Sequence, residues 1–173
     1  MWINVSQLLK APIGSIRDYE ADGIIDVTGN DSQVQGEVRL IRTDRGILVK
    51  GELHTEVEVT CSRCLSPFSC PLKLNIEEEY FPIIDVVSGV SLPSPDEPSC
   101  FLIDERHVLD LTEAMRQYAL LAIPMKPICR EDCAGLCPDC GHNLNEGSCN
   151  CPPQETNPRW AKLRKLVLTN DEQ

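Results

Sequence analysis

Ile47-Leu48-Val49-Lys50-Gly51-Glu52-Leu53-His54-Thr55-Glu56-Val57-Glu58-Val59-Thr60 carries the reading on which the fold rests. Ile47, Val49, Gly51, Leu53, Thr55, Val57 and Val59 fall on one side of an extended chain, with Leu48, Lys50, Glu52, His54, Glu56 and Glu58 on the other. Strict period-two alternation over so long a stretch predicts an antiparallel strand with one buried and one wet face. Upstream, Val34, Gly36, Val38 and Leu40 alternate in the same way, and Thr43-Asp44-Arg45-Gly46 has the residues of a tight hairpin turn. Downstream, Leu72, Leu74, Ile76 and Tyr80 oppose Lys73, Asn75, Glu77 and Glu79. Strand after strand is therefore expected from Gly23 to Phe81. They form an antiparallel meander of three or four long strands, curled toward a partly closed barrel.

Beyond this block the pattern changes. Pro82, Pro93, Pro95 and Pro98 with Gly89 leave few groups for a ladder between Pro82 and Ser99, which reads as a mobile loop. Cys100–Ile103 and Val108–Asp110 read as a short hairpin. Asp110 and Glu113 have the spacing of a capping box, and Leu111, Ala114, Met115, Tyr118 and Ala122 make one face of a helix that Pro124 ends. That face is expected to pack on the sheet. Asn157-Pro158 then opens a short last helix with a Trp160, Leu163, Leu166, Val167 stripe. The expected class is α+β, in three parts: an α+β domain with an antiparallel sheet over 1–125, a cysteine-rich zinc-binding segment over 126–155, and a basic helix and tail over 156–173.

Ten cysteines in 173 residues carry the chemistry. No secretory signal and no membrane-length apolar run is seen, so the expected compartment is the cytoplasm, where thiols stay reduced and short Cys spacings point to metal. Eight cysteines form four pairs: Cys61 and Cys64, Cys129 and Cys133, Cys137 and Cys140, Cys149 and Cys151. Zinc takes four soft ligands in a tetrahedron, and a two-residue spacer lets one turn supply two sulfurs. Gly141 after Cys140 permits the left-handed backbone of such a knuckle. The local solution closes one site from Cys137, Cys140, Cys149 and Cys151. It leaves Cys61 and Cys64 to join Cys129 and Cys133 in a second, giving about two Zn2+ per chain. A single metallated site is the alternative, and His142 is a candidate to replace a thiolate. Cys70 and Cys100 read as packing residues or free thiols, and His54 and His107 as surface or turn residues.

Two filled tetrads leave no open position for a water, so hydrolytic zinc chemistry is not expected. Cys61 and Cys64 lie between strands, away from the helix N-terminus that a thioredoxin-type dithiol needs. No phosphate loop, nucleophile elbow or His-carboxylate set occurs elsewhere. Glu77-Glu78-Glu79 reads as mostly a solvated face. The chain is thus not expected to be an enzyme. Its formal charge is −11, and two tetrathiolate zinc sites take it to about −15. Bulk charge therefore repels nucleic acid, and any RNA contact needs a local basic surface. Arg159, Lys162 and Lys165 share one face of the last helix, about 60° apart, with Arg63 and Arg130 beside the first cysteine site as further candidates.

At Cys61-Ser-Arg-Cys64-Leu-Ser-Pro-Phe68, Leu109-Asp-Leu-Thr-Glu113, Leu120-Leu-Ala-Ile-Pro124 and Cys129 to Cys151, the sequence resembles the YceD family, the large ribosomal RNA subunit accumulation proteins of bacteria and plastids. Together with the strand pattern the resemblance covers nearly the whole chain. Enterobacterial-type members keep the first Cys pair and a His/Cys pair after the helix and lack the last knuckle, which implies that Cys137–Cys151 is an added second site. The resemblance also implies a non-enzymatic role in accumulating large-subunit ribosomal RNA. The partner would be precursor RNA or an assembling large-subunit ribosomal protein, with no membrane and no small-molecule substrate. The alternatives are a zinc-stabilised protein-interaction scaffold without RNA contact, or a thiol-based redox protein, either a zinc-thiolate switch or a rubredoxin-like iron centre.

Overall fold

A computed structural model of the chain describes residues 1–93 and 100–152. Its elements are β1 (Trp2–Asn4), α1 (Ser6–Leu9), β2 (Ile16–Val27), β3 (Asn30–Arg42), β4 (Ile47–Thr60), β5 (Pro67–Pro82), β6 (Phe101–Ile103), β7 (Val108–Asp110) and α2 (Thr112–Ala122). The seven strands among the described residues form one sheet in the order β1-β7-β6-β5-β4-β3-β2. The class is α+β only broadly, since among the described residues strands dominate and both helices are short.

β2 to β5 are the long antiparallel meander, and the alternation in β4 emerges as read. Ile47, Val49, Leu53 and Val57 are buried while Lys50, Glu52, Glu56 and Glu58 are exposed. The register sets inward residues in rows across the strands. Gly23 stands beside Val34, Gly36 between Ala21 and Leu53, and Gly51 between Val38 and Ile76. The three glycines thus run diagonally through successive rows. A diagonal lacking side chains is where a sheet can bend sharply. The need is strict at Gly36, whose φ is +155 and where a Cβ would lie 2.2 Å from the Glu52 carbonyl oxygen. Bending gives a half-barrel, and α2 packs into its concave side, touching both β5 and β2 although those strands are not neighbours. Ala114, Met115 and Ala119 are its buried residues. Each large aliphatic side chain taken from water here contributes about 1.5–3 kcal/mol.

Several details differ from the sequence reading. The meander begins at Ile16, well before Gly23, because β2 holds full register with β3 from Ile16↔Ile41 onward. Its polar first half, Arg17, Asp18 and Glu20, hides the strand from a hydrophobicity argument. β1 and α1 had no expectation; β1 is held by pairing with β7, and Leu8 and Leu9 are buried in the core. The hairpin of β6 and β7 is present, and β6 also pairs in parallel with the end of β5. The capping box does not form. The Asp110 carboxylate accepts the Thr112 N–H at 2.9 Å, while Glu113 is held by Arg116 and Gln117 one turn further on. A bidentate guanidinium outcompetes a single backbone amide for that carboxylate. Within Pro82–Ser99, a bridge between Ile84 and Ser91 turns the described part into a tight reversal, with Asp85 accepting amide and hydroxyl hydrogen bonds from Ser88. Residues 94–99 and the expected last helix, with Arg159, Lys162 and Lys165, lie outside the described residues.

Candidate metal centres

The connection from β4 to β5 is one knuckle. Leu65 donates its N–H to the Cys61 carbonyl at 3.0 Å, and Cys61 donates to the Ser66 carbonyl at 2.9 Å. Leu65 takes the left-handed backbone, φ 58, that the turn after a second cysteine requires. Cys129 and Cys133 arrive from the segment after α2, which the Ser62 N–H pins by the Pro127 carbonyl at 2.8 Å. The four sulfurs of Cys61, Cys64, Cys129 and Cys133 lie within 4.8 Å of one another. Cys61 and Cys133 Sγ are 3.9 Å apart, and Cys64 and Cys129 Sγ 3.7 Å. A zinc tetrahedron with Zn–S bonds of about 2.3 Å has an edge of about 3.8 Å, so the donor set fits a tetrahedral cation. Phe68 and Leu136 pack around it.

Backbone amides tune this tetrad toward negative charge. The Cys64 N–H chiefly, with the Arg63 and Cys129 N–H groups each 3.4 Å from the sulfur, pulls the Cys61 thiol down to about 6 against the opposing effect of burial. The Asn145 side-chain amide, 3.4 Å from Cys133 Sγ, holds that thiol below its ordinary value too. Burial pushes Cys129 up to about 12, and the neighbouring thiols add to that. Four sulfurs so close cannot all ionise without a cation among them, and a divalent metal is what would let them do so.

The second tetrad repeats the knuckle. Gly141, at φ 73, donates its N–H to the Cys137 carbonyl at 2.9 Å, matching Leu65 and Cys61. Cys137, Cys140, Cys149 and Cys151 also hold their sulfurs within 4.8 Å. The Cys140 and Asp139 backbone amides bring the Cys137 thiol down to about 7, while the Cys140 thiol and burial push Cys151 up to about 12. This site is more open: Cys137 is buried, Cys149 and Cys151 half-buried and Cys140 exposed. Both tetrads could hold a metal ion, and all eight paired cysteines divide between them as the local solution has it.

A family model described as Large ribosomal RNA subunit accumulation protein YceD matches residues 49–167, from β4 through both tetrads. The chain belongs to the YceD family. An uncharacterized protein of Mycobacterium tuberculosis is 30% identical over 131 residues, covering 76% of this chain and 60% of the relative. One of Mycobacterium leprae is 24% identical over 132 residues, covering 76% and 58%. The maize protein named Large ribosomal RNA subunit accumulation protein YCED homolog 1, chloroplastic, is 28% identical over 160 residues, covering 78% of this chain and 54% of its own length. The chain thus spans about 60% or less of the length of these relatives. No solved structure matches it.

Around the first tetrad of this YceD-family chain, the basic side chains hold the site together. The Arg63 guanidinium donates to the Glu131 and Cys133 carbonyls at 3.2 and 3.1 Å. Arg130 donates to Asn145 Oδ1 at 2.6 Å and pairs with Asp132 at 3.4 Å. His142 is exposed and contributes its carbonyl to the Cys137 N–H, outside either sulfur set. Cys70 packs against the main core, and Cys100 is half-buried; neither joins a tetrad. Glu77 pairs with Lys50 and Glu79 with Arg45 on the wet face, while Glu78 accepts the Tyr118 hydroxyl at 3.0 Å. Sequence reasoning missed Asn143 and Asn145. Two asparagines two positions apart, inside the loop between Cys140 and Cys149, were the available signal, because such residues hydrogen-bond neighbouring backbone and sulfur.

Proposed function

We propose that this chain is a non-enzymatic zinc-binding factor that supports accumulation of large-subunit ribosomal RNA in the cytoplasm. The observation that carries the reading is a YceD family match running through two cysteine tetrads, the first with a sulfur spacing that suits zinc. Four protein sulfurs per ion leave no open position for substrate, which favours a structural role for the metal. Elemental analysis of protein purified under reducing conditions should find about two zinc ions per chain. One ion or none would overturn the division into two sites, and the red colour of an iron tetrathiolate would overturn the zinc assignment. For function, depleting the protein should lower large-subunit relative to small-subunit ribosomal RNA, and unchanged amounts would sink the reading.

The direct partner is RNA or an assembling ribosomal protein, and the described surface favours the protein. Glu20, Glu37 and Glu52 stand directly opposite one another across β2, β3 and β4 on the exposed face. Glu52 is already paired with Lys73 at 2.7 Å, and it is Glu20 and Glu37 that repel phosphate and attract a basic chain. Arg63 and Arg130 are engaged in holding the first site, so an RNA reading leans on Arg159, Lys162 and Lys165. Recovery of copurifying material with and without RNase separates the two: a protein partner survives the nuclease. Replacing Arg159, Lys162 and Lys165 with Gln should flatten the salt dependence by about one unit of slope per lost phosphate contact if RNA is bound directly.

A further inference from the structure

We propose that Asn145 couples the two metal sites, so that filling the Cys137/Cys140/Cys149/Cys151 tetrad strengthens metal binding at Cys61/Cys64/Cys129/Cys133. The inference rests on the zinc reading above and adds regulation of one site by the other. Asn145 belongs to the loop between Cys140 and Cys149, both ligands of the second tetrad, yet its side chain serves the first. Its Nδ2 donates to Cys133 Sγ at 3.4 Å and to Asn143 Oδ1 at 2.8 Å. Its Oδ1 accepts the Ala134 N–H at 2.9 Å and an Arg130 N–H at 2.6 Å.

All four hydrogen-bonding positions of the amide are therefore used, three of them on the stretch from Cys129 to Ala134 that carries two ligands of the first site. The orientation is fixed as well. Turning the amide over would aim its NH2 at two donors and its oxygen at a sulfur. Backbone bonds seat the loop against the first site: Leu144 donates to the Gly135 carbonyl at 2.9 Å, and Asn143 forms a bridge with Leu136. Asn143 extends the same contact to the first knuckle, donating to Ser66 Oγ at 3.3 Å.

A ligand held by such a partner is pre-aimed, and losing the partner typically weakens metal binding about 10–100-fold. Residues 141–148 are the loop that a metal in the second tetrad closes at both ends. Closure holds Asn145 where Cys133 needs it; an open second site lets the loop wander and leaves Cys133 without its donor. Coupling of binding free energies is reciprocal, so metal in the first site favours the second by the same factor.

The test loads the full chain with 113Cd under reducing conditions and removes the metal with a graded chelator, following one NMR resonance per site. Cys149→Ser with Cys151→Ser deletes the second resonance and so assigns both. That double variant should weaken the first site about 10–100-fold. Asn145→Ala should do the same with both sites present, and Asn145→Asp, which keeps the acceptor but sets a carboxylate against the sulfur, should weaken it at least as much. In the Asn145→Ala background, the two serine substitutions should add nothing further. A first site indifferent to Asn145, or a serine effect of full size without Asn145, overturns the coupling. A wild-type chain that takes up no cadmium overturns the metal reading itself, which the resonances report separately.

Discussion

Leu65 and Gly36 show what one backbone angle can decide. Leu65 sits after Cys64 at φ 58, where the second knuckle has Gly141 at φ 73. A left-handed non-glycine residue costs about 1–2 kcal/mol. Leu65 is 62% exposed, so little packing is lost with its side chain. Leu65→Gly should therefore stabilise the first knuckle by about 1 kcal/mol, read as a raised midpoint in denaturant at unchanged m-value; an unchanged or lowered midpoint contradicts the strain argument. Gly36→Ala should act in the opposite sense. Its Cβ would meet backbone at 2.2 Å in a strand that cannot move away from β4, and a loss of about 2–3 kcal/mol or more is expected. Full stability in that variant would mean that the sheet does not need its bend there.

Among the elements, α2 is set by packing more than by its ends. Leu111 precedes it without a side-chain cap, and the helix is fixed by Met115 and Ala119 in the half-barrel and by the Tyr118 hydroxyl on Glu78. Met115→Ala should cost about 2–5 kcal/mol by leaving a cavity where the bent sheet cannot follow; less than about 1 kcal/mol would show a loosely filled concave side. On the helix surface the Arg116 guanidinium, with Gln117, holds the Glu113 carboxyl down to about 2. A carboxyl lowered on folding contributes its stabilisation above its unfolded value, about 4.3, and loses it as pH falls through about 2. Arg116→Ala should raise the Glu113 titration midpoint, followed by NMR of its carboxyl carbon. The stability change should be small, since both groups are exposed.

For the whole molecule, the first tetrad is the long-range tie, joining the β4–β5 turn to a segment 65 to 72 residues away. Cys61→Ser should lower global stability by about 5 kcal/mol and the melting temperature by roughly 10–20 °C. Cys149→Ser breaks a local loop and should cost less, about 1–3 kcal/mol through the lost hold on Asn145; equal losses in the two variants would remove the distinction between tie and loop. The sequence by itself determined the meander, the hairpin turn at Thr43–Gly46, the end of α2 at Pro124 and the pairing of eight cysteines. Each follows from rules acting over a few residues: alternation, turn chemistry, a missing N–H and the bite of a metal knuckle. Tertiary structure alone decided the rest. The diagonal of Gly23, Gly36 and Gly51 exists only once register aligns three strands, and the polar start of β2 is a strand only because β3 pairs with it. Asn145 lies twelve residues beyond Cys133, and which sulfur its amide meets depends on how one loop folds back over another. Such contacts join residues distant in the chain, and no local pattern encodes the distance between them.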